Sequence, residues 1–129
     1  MYNLKITKEQ AEILVKALDL YSRIGIGQFE EILKHPTWQR RIFSDKMSYT
    51  SLDEARYFLD NVRQIITGQR HGGIGITVSE EHNRIAYDIL QVIQHKLAWD
   101  DKPEGDTTVK FHEPMQRANH KMATIEKEE

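Results

Sequence analysis

SLDEARYFLDNVRQIITGQRHGGIGITVSEEHNRIAYDILQVIQHKLAW, residues 51–99, holds two helical periods separated by a glycine-rich interruption, and this pattern decides the reading of the fold. In its first part Ala55, Phe58 with Leu59, Val62, and Ile65 with Ile66 recur at helical spacing. Ser51 and Glu54 have the spacing of a capping box, and Gly68 stands where a helix C-terminal glycine belongs. In its last part Ile85, Ile89, Val92 with Ile93, and Leu97 form a second stripe. Thr77 or Ser79 caps a helix that the spacing predicts over about 80–98. Between the two lies TGQRHGGIGIT, residues 67–77, with four glycines.

Toward the N-terminus, Thr7 and Gln10 form another capping box, followed by Ala11, Leu14, Ala17 with Leu18, and Tyr21 at helical spacing. Gly25 and Gly27 each disfavour a helix by about 1 kcal/mol relative to Ala, so a break is predicted there. Phe29, Ile32 and Leu33 then resume the period until His35-Pro36 closes it, because a residue before proline is pushed out of the helical region. The result is a broken helix over 7–34, followed by an irregular packed connection over 37–50. Tyr2, Leu4 and Ile6 alternate with polar residues and predict a short strand. Beyond the solvated DDKPEGD turn at 100–106, Val109 and Phe111 alternate with Lys110 and His112, and a short apolar run spans 122–125. The expected architecture is therefore α+β and mainly α, with three to four helices packed together and short strands from the N- and C-termini. The expected organisation is a helical core domain with an N-terminal strand over 1–99, and a charged linker and tail of the same domain over 100–129. That tail either forms a strand or is partly disordered.

The composition narrows the function classes. A chain of 129 residues, 39% hydrophobic and 29% charged, suits one hydrophobic core. A net charge of −2 supplies no global basic field for a nucleic-acid backbone. The absence of cysteine excludes a disulfide framework, a thiolate zinc site and a cysteine nucleophile. No apolar stretch is long enough to span a membrane and no N-terminal apolar signal is present, so a cytoplasmic protein is expected.

Two glycine-bearing interruptions carry the candidate site. In GQRHGG, Gly72 and Gly73 permit close backbone approach, Arg70 can make a bidentate phosphate contact and His71 can donate, which together read as a phosphate cradle. The segment lacks the lysine and hydroxyl of a P-loop and the GxGxxG spacing of a dinucleotide fold. In YSRIGIGQ, Tyr21 can stack on a base, Arg23 can meet a phosphate, and Gly25, Gly27 and Gln28 lie at the helix break. The bland reading of both segments is inter-helix turns with glycines at the caps.

Other chemistry is sparse. Asp88, Gln91 and His95 share one face of the last predicted helix, but glutamine is a poor metal ligand and no HExxH is present, so no metal site is assigned. His35, His112 and His120 read as surface residues. There is no GxSxG elbow, and Glu30 with Glu31 and Asp53 with Glu54 suit helix first turns rather than paired acid-base work. No catalytic residue and no cofactor are assigned, and the chain is not read as an enzyme. Arg40 and Arg41, with Lys34, Lys46, Trp38 and Phe43, make a small basic stretch that nearby acids dilute, so nucleic acid is not the expected partner. The run Ile85, Ala86, Ile89, Leu90, Val92, Ile93, Leu97, Ala98 and Trp99 is wider than a three-helix monomer covers, so a homo-oligomer is expected.

Residues 17–36 and 84–99, notably Leu18-Asp19-Leu20-Tyr21, Arg23, Gly25, Gly27-Gln28-Phe29-Glu30 and Ala86-Tyr87-Asp88, resemble a group of small phage- and prophage-encoded proteins. The resemblance carries over no catalytic residues and implies a setting: such proteins often inhibit host immunity or sequester its nucleotide signals. The expected function is sequestration, without turnover, of a phosphorylated small molecule of the nucleotide-signal class, a cyclic oligonucleotide or a cyclic ADP-ribose isomer. The alternative is a protein-protein inhibitor or regulator docking on a host protein through an exposed helix.

Overall fold

The first helix starts as its capping box dictates. The Thr7 backbone N–H donates to Gln10 Oε1 at 2.9 Å and the Gln10 N–H donates to Thr7 Oγ1 at 3.2 Å, reciprocally satisfying two amides that a helix start leaves open. In this computed structural model, which describes residues 1–44, 49–70 and 74–128, α1 spans Lys8–Gly25, α2 Pro36–Ile42, α3 Tyr49–Thr67 and α4 Glu81–Asp101. Short 3-10 helices lie at Phe29–Lys34, Ile76–Val78 and Val109–Phe111.

No strand occurs among the described residues, which corrects the α+β expectation to an all-helical fold. The alternation that suggested strands is real, but it meets no pairing edge. Tyr2 and Leu4 are both exposed to solvent. Val109–Phe111 closes into a 3-10 turn through Phe111 N–H to Thr108 O and His112 N–H to Val109 O, and Phe111 is buried with its ring edge-on to Trp99. The main-chain groups of the tail are bound by side chains of α4 rather than by a neighbouring strand.

The connection expected to be irregular over 37–50 contains α2. Pro36 sits at the first helical position, where its missing N–H costs nothing, and His35 Nδ1 accepts the Thr37 N–H as the cap. Ser51 lies inside α3 rather than at its cap. Thr77 belongs to the 3-10 turn preceding α4, whose N-cap is Glu80.

The chain divides into two compact units, residues 1–22 with 76–129, and residues 23–75. In the first, α1 and α4 run antiparallel: Lys8 Nζ pairs with Asp101 at 2.7 Å near one end, and Tyr21 Oη meets His82 Nδ1 at 2.7 Å near the other. Its core comprises Ala11, Ala86, Leu90, Ile93, Ala98, Phe111 and Ala118, the last two from the tail. The tail is thus a packed part of this unit, with the Phe111 ring edge-on to Trp99 of α4. Buried Asn83 donates Nδ2 to Ser22 O at 3.1 Å, tying α4 to α1.

The second unit packs the Phe29–Lys34 turn against α2 and α3. Among its described residues no apolar side chain is fully buried. Its most buried large side chain is polar: Arg63, on α3.

Candidate functional site

The break after α1 is built by local backbone chemistry. The amides of Ile26 and Gln28 donate to Arg23 O and that of Gly27 donates to Ile24 O, while Gly27 takes φ 88°, a left-handed conformation that favours glycine. Gln28 returns to Arg23 a second time, its Oε1 accepting from Arg23 Nη1 at 2.9 Å. Glu31 lies 3.8 Å from the same guanidinium and accepts Lys34 Nζ at 2.8 Å.

The second interruption is held from α3. Thr67 ends the helix, and Gly68, at φ 70°, donates its N–H to Gln64 O as a C-terminal glycine does. Arg63 then grips the exiting chain: Nη1 donates to Gln69 O at 2.9 Å and Nη2 to Arg70 O at 2.8 Å, while Asp60 Oδ1 accepts from Nη2 at 2.7 Å and from Nε at 3.2 Å. Burying the guanidinium among two carbonyls and a carboxylate replaces the hydrogen bonds it would make to water. The side chain of Arg70 itself is exposed.

Among the described residues, these two interruptions, over 40 residues apart in sequence, meet where Ile74 N–H donates to Ile26 O at 2.9 Å. Arg23, Gly25, Gly27, Gln28 and Arg70 all lie in the second unit, whereas Tyr21 belongs to the first, where its ring is edge-on to His82 at 5.9 Å. His71, Gly72 and Gly73 lie outside the described residues. Sequence reasoning missed Arg63, which reads in isolation as a spacer between core positions. The available signal was Asp60 one turn earlier and the C-terminal glycine five residues later, a pattern that puts a cation within reach of the chain leaving the helix.

On the face bearing Asp88, Gln91 and His95, all three side chains bind main-chain atoms of the tail. Among the described residues no cluster of three or more His, Asp or Glu side chains is arranged to hold a metal, and no helix is long and apolar enough to cross a membrane. The first unit carries an open cleft of about 360 Å³ beside α4, walled by Val92, His95, Lys96, Trp99, Pro114 and Ile125. No protein family, curated protein or solved structure matches the chain.

Proposed function

We propose that the chain is a non-catalytic binding protein that sequesters a phosphorylated small molecule of the nucleotide-signal class, a cyclic oligonucleotide or cyclic ADP-ribose isomer, in a phage-infected host cytosol. The observation that carries this reading is the Ile74 N–H to Ile26 O bond, which brings the two arginine- and glycine-bearing interruptions to one place. The hold of Arg63 on the Gln69 and Arg70 carbonyls supports it further, because backbone already fixed there loses less entropy on binding. The ligand class follows from the chemistry that arginines and glycine-lined backbone suit, together with the phage resemblance. The test is thermal shift of the full chain with cyclic di- and trinucleotides and cyclic ADP-ribose isomers. A specific member is expected to raise Tm by mass action and to be recovered chemically unchanged, and no shift at a hundredfold excess of any of them overturns the reading.

A second reading, docking on another protein, is favoured by α3. Tyr57, Phe58, Val62, Ile65 and Ile66 are 64%, 57%, 41%, 81% and 67% exposed, a contiguous apolar stripe on the unit that buries no apolar side chain fully among its described residues. Such a stripe fits an apolar groove on a partner protein, in the helix-in-groove mode. A partner that co-purifies stoichiometrically and is lost on Ile65→Glu, with no nucleotide shifting Tm, assigns the function to this face.

A further inference from the structure

The tail is attached to α4 in an unusual way. From one face of the helix, Trp99 Nε1 donates to Phe111 O at 3.1 Å, His95 Nδ1 meets Lys110 O at 3.2 Å, and Gln91 exchanges two bonds with the main chain of Met115, at 2.9 and 3.1 Å. Asp88 accepts the amides of Arg117 and Ala118, and Glu81 accepts that of Asn119 at 2.8 Å. The donors and acceptors descend α4 from 99 to 81 as the tail ascends from 110 to 119, so the tail lies antiparallel to the helix. Every one of these bonds reads backbone, and Phe111 and Ala118 add the buried apolar contacts. Among the described residues no backbone-to-backbone bond ties 113–128 to the rest of the chain.

We propose that this face of α4 is a receptor for an extended peptide, and that its second occupant, besides the chain's own tail, is the tail of another copy, so that two copies exchange residues 107–119 reciprocally. Three observations support this occupant. The fit of this sequence to this face is already realised within the chain. All of its polar anchors come from a single helix, so a tail arriving from another copy finds the whole receptor in one element. The connection at 102–108 is a mostly exposed turn containing Pro103 and Gly105, closed by Gly105 N–H to Lys102 O and by the Lys102–Asp106 pair, and a reciprocal exchange opens this turn while remaking the bonds to α4 between copies. Because a tethered tail has an effective concentration in the millimolar range, seating within one chain dominates in dilute solution and exchange grows with protein concentration.

The absence of cysteine makes the test clean. Lys96 and Glu113 line the same cleft, and neither makes a tail-anchoring bond, so Lys96→Cys and Glu113→Cys are prepared as separate full-length chains and as one double variant. Tm is compared with the parent chain first. The two single variants are then mixed, equilibrated at about 10 µM and about 1 mM, and oxidised, with Glu9→Cys replacing Glu113→Cys as the control. The expected result is an internal cross-link in the double variant when dilute, and a mixed dimer of the two single variants that increases with concentration and exceeds the control at least fivefold. A mixed dimer no more abundant than the control at either concentration overturns exchange, and failure of the double variant to cross-link internally overturns the receptor itself. Light scattering of the unmodified chain gives an independent measure, a dimer at about 1 mM being expected and a monomer at that concentration overturning the proposal.

Discussion

The buried carboxylate of Asp88 accepts the backbone N–H of Ala118 at 2.9 Å, across 30 residues of sequence, and the adjoining amide of Arg117 donates to the same group. One α4 side chain therefore satisfies two amides of a segment that has no regular structure of its own. Asp88→Ala is expected to orphan both, at about 1–3 kcal/mol for each buried group left unpaired, and to lower Tm by several degrees. Asp88→Asn, which keeps an acceptor oxygen, is expected to lose less. Equal losses in thermal melts of the two variants contradict this account.

Acid stability is expected to depend on Glu81. Desolvation pushes its carboxyl up, but the Arg84 hydrogen bond, the Asn119 amide and the nearby positive charges of Arg84 and His120 together hold it below the usual 4.5. A carboxylate with a depressed folded-state pKa contributes stability that is present above the unfolded value and lost as pH falls through the folded one. Tm measured from pH 7 to 3 is expected to decline below about 4.5 more steeply in the parent chain than in Glu81→Gln. Superimposable pH profiles contradict it.

Gly105 and Gly68 both have positive φ, at 77° and 70°, but only Gly105 is crowded: a Cβ there meets Trp99 Cη2 at 2.7 Å, while at Gly68 nothing lies within 4 Å. Gly68→Ala is expected to cost about 1 kcal/mol from left-handed strain alone. Gly105→Ala adds displacement of the Trp99 ring and is expected to cost about 2–4 kcal/mol, with a change in tryptophan fluorescence. Denaturant unfolding of the two variants checks the order.

Arg63 and Arg70 separate structure from binding. Arg63→Lys offers three donors on one nitrogen where the guanidinium spreads four bonds over Nε, Nη1 and Nη2, and it is expected to lower Tm. Arg70→Ala, at an exposed side chain, is expected to leave the Tm of the ligand-free chain nearly unchanged while weakening the nucleotide that shifts it by roughly ten- to a hundredfold. Calorimetric titration with that nucleotide gives the second readout, and unaltered affinity removes Arg70 from the site.

On α3, Ile65→Glu replaces a side chain that is 81% exposed and is expected to change stability by less than about 0.5 kcal/mol. A larger loss of Tm shows that this face is covered.

What the sequence by itself determined is local. The Thr7–Gln10 box, the break at Gly27, the glycine end of α3 and the stripe of α4 are encoded by neighbours within a turn or two, where caps, backbone freedom and helical period act without reference to the rest of the chain. The tertiary structure decided what those elements meet. Period-two alternation at 2–6 and 107–112 specifies a strand only if an edge is available, and the tail instead found the polar face of α4, so Asp88, Gln91 and His95, whose spacing resembled a ligand set, became backbone anchors. Phe111 and Ala118 of the tail are buried in the same unit as α4, while α3, also amphipathic in sequence, keeps its stripe exposed. Which of two similar apolar faces is buried depends on contacts made by residues tens of positions away, and no local period records them.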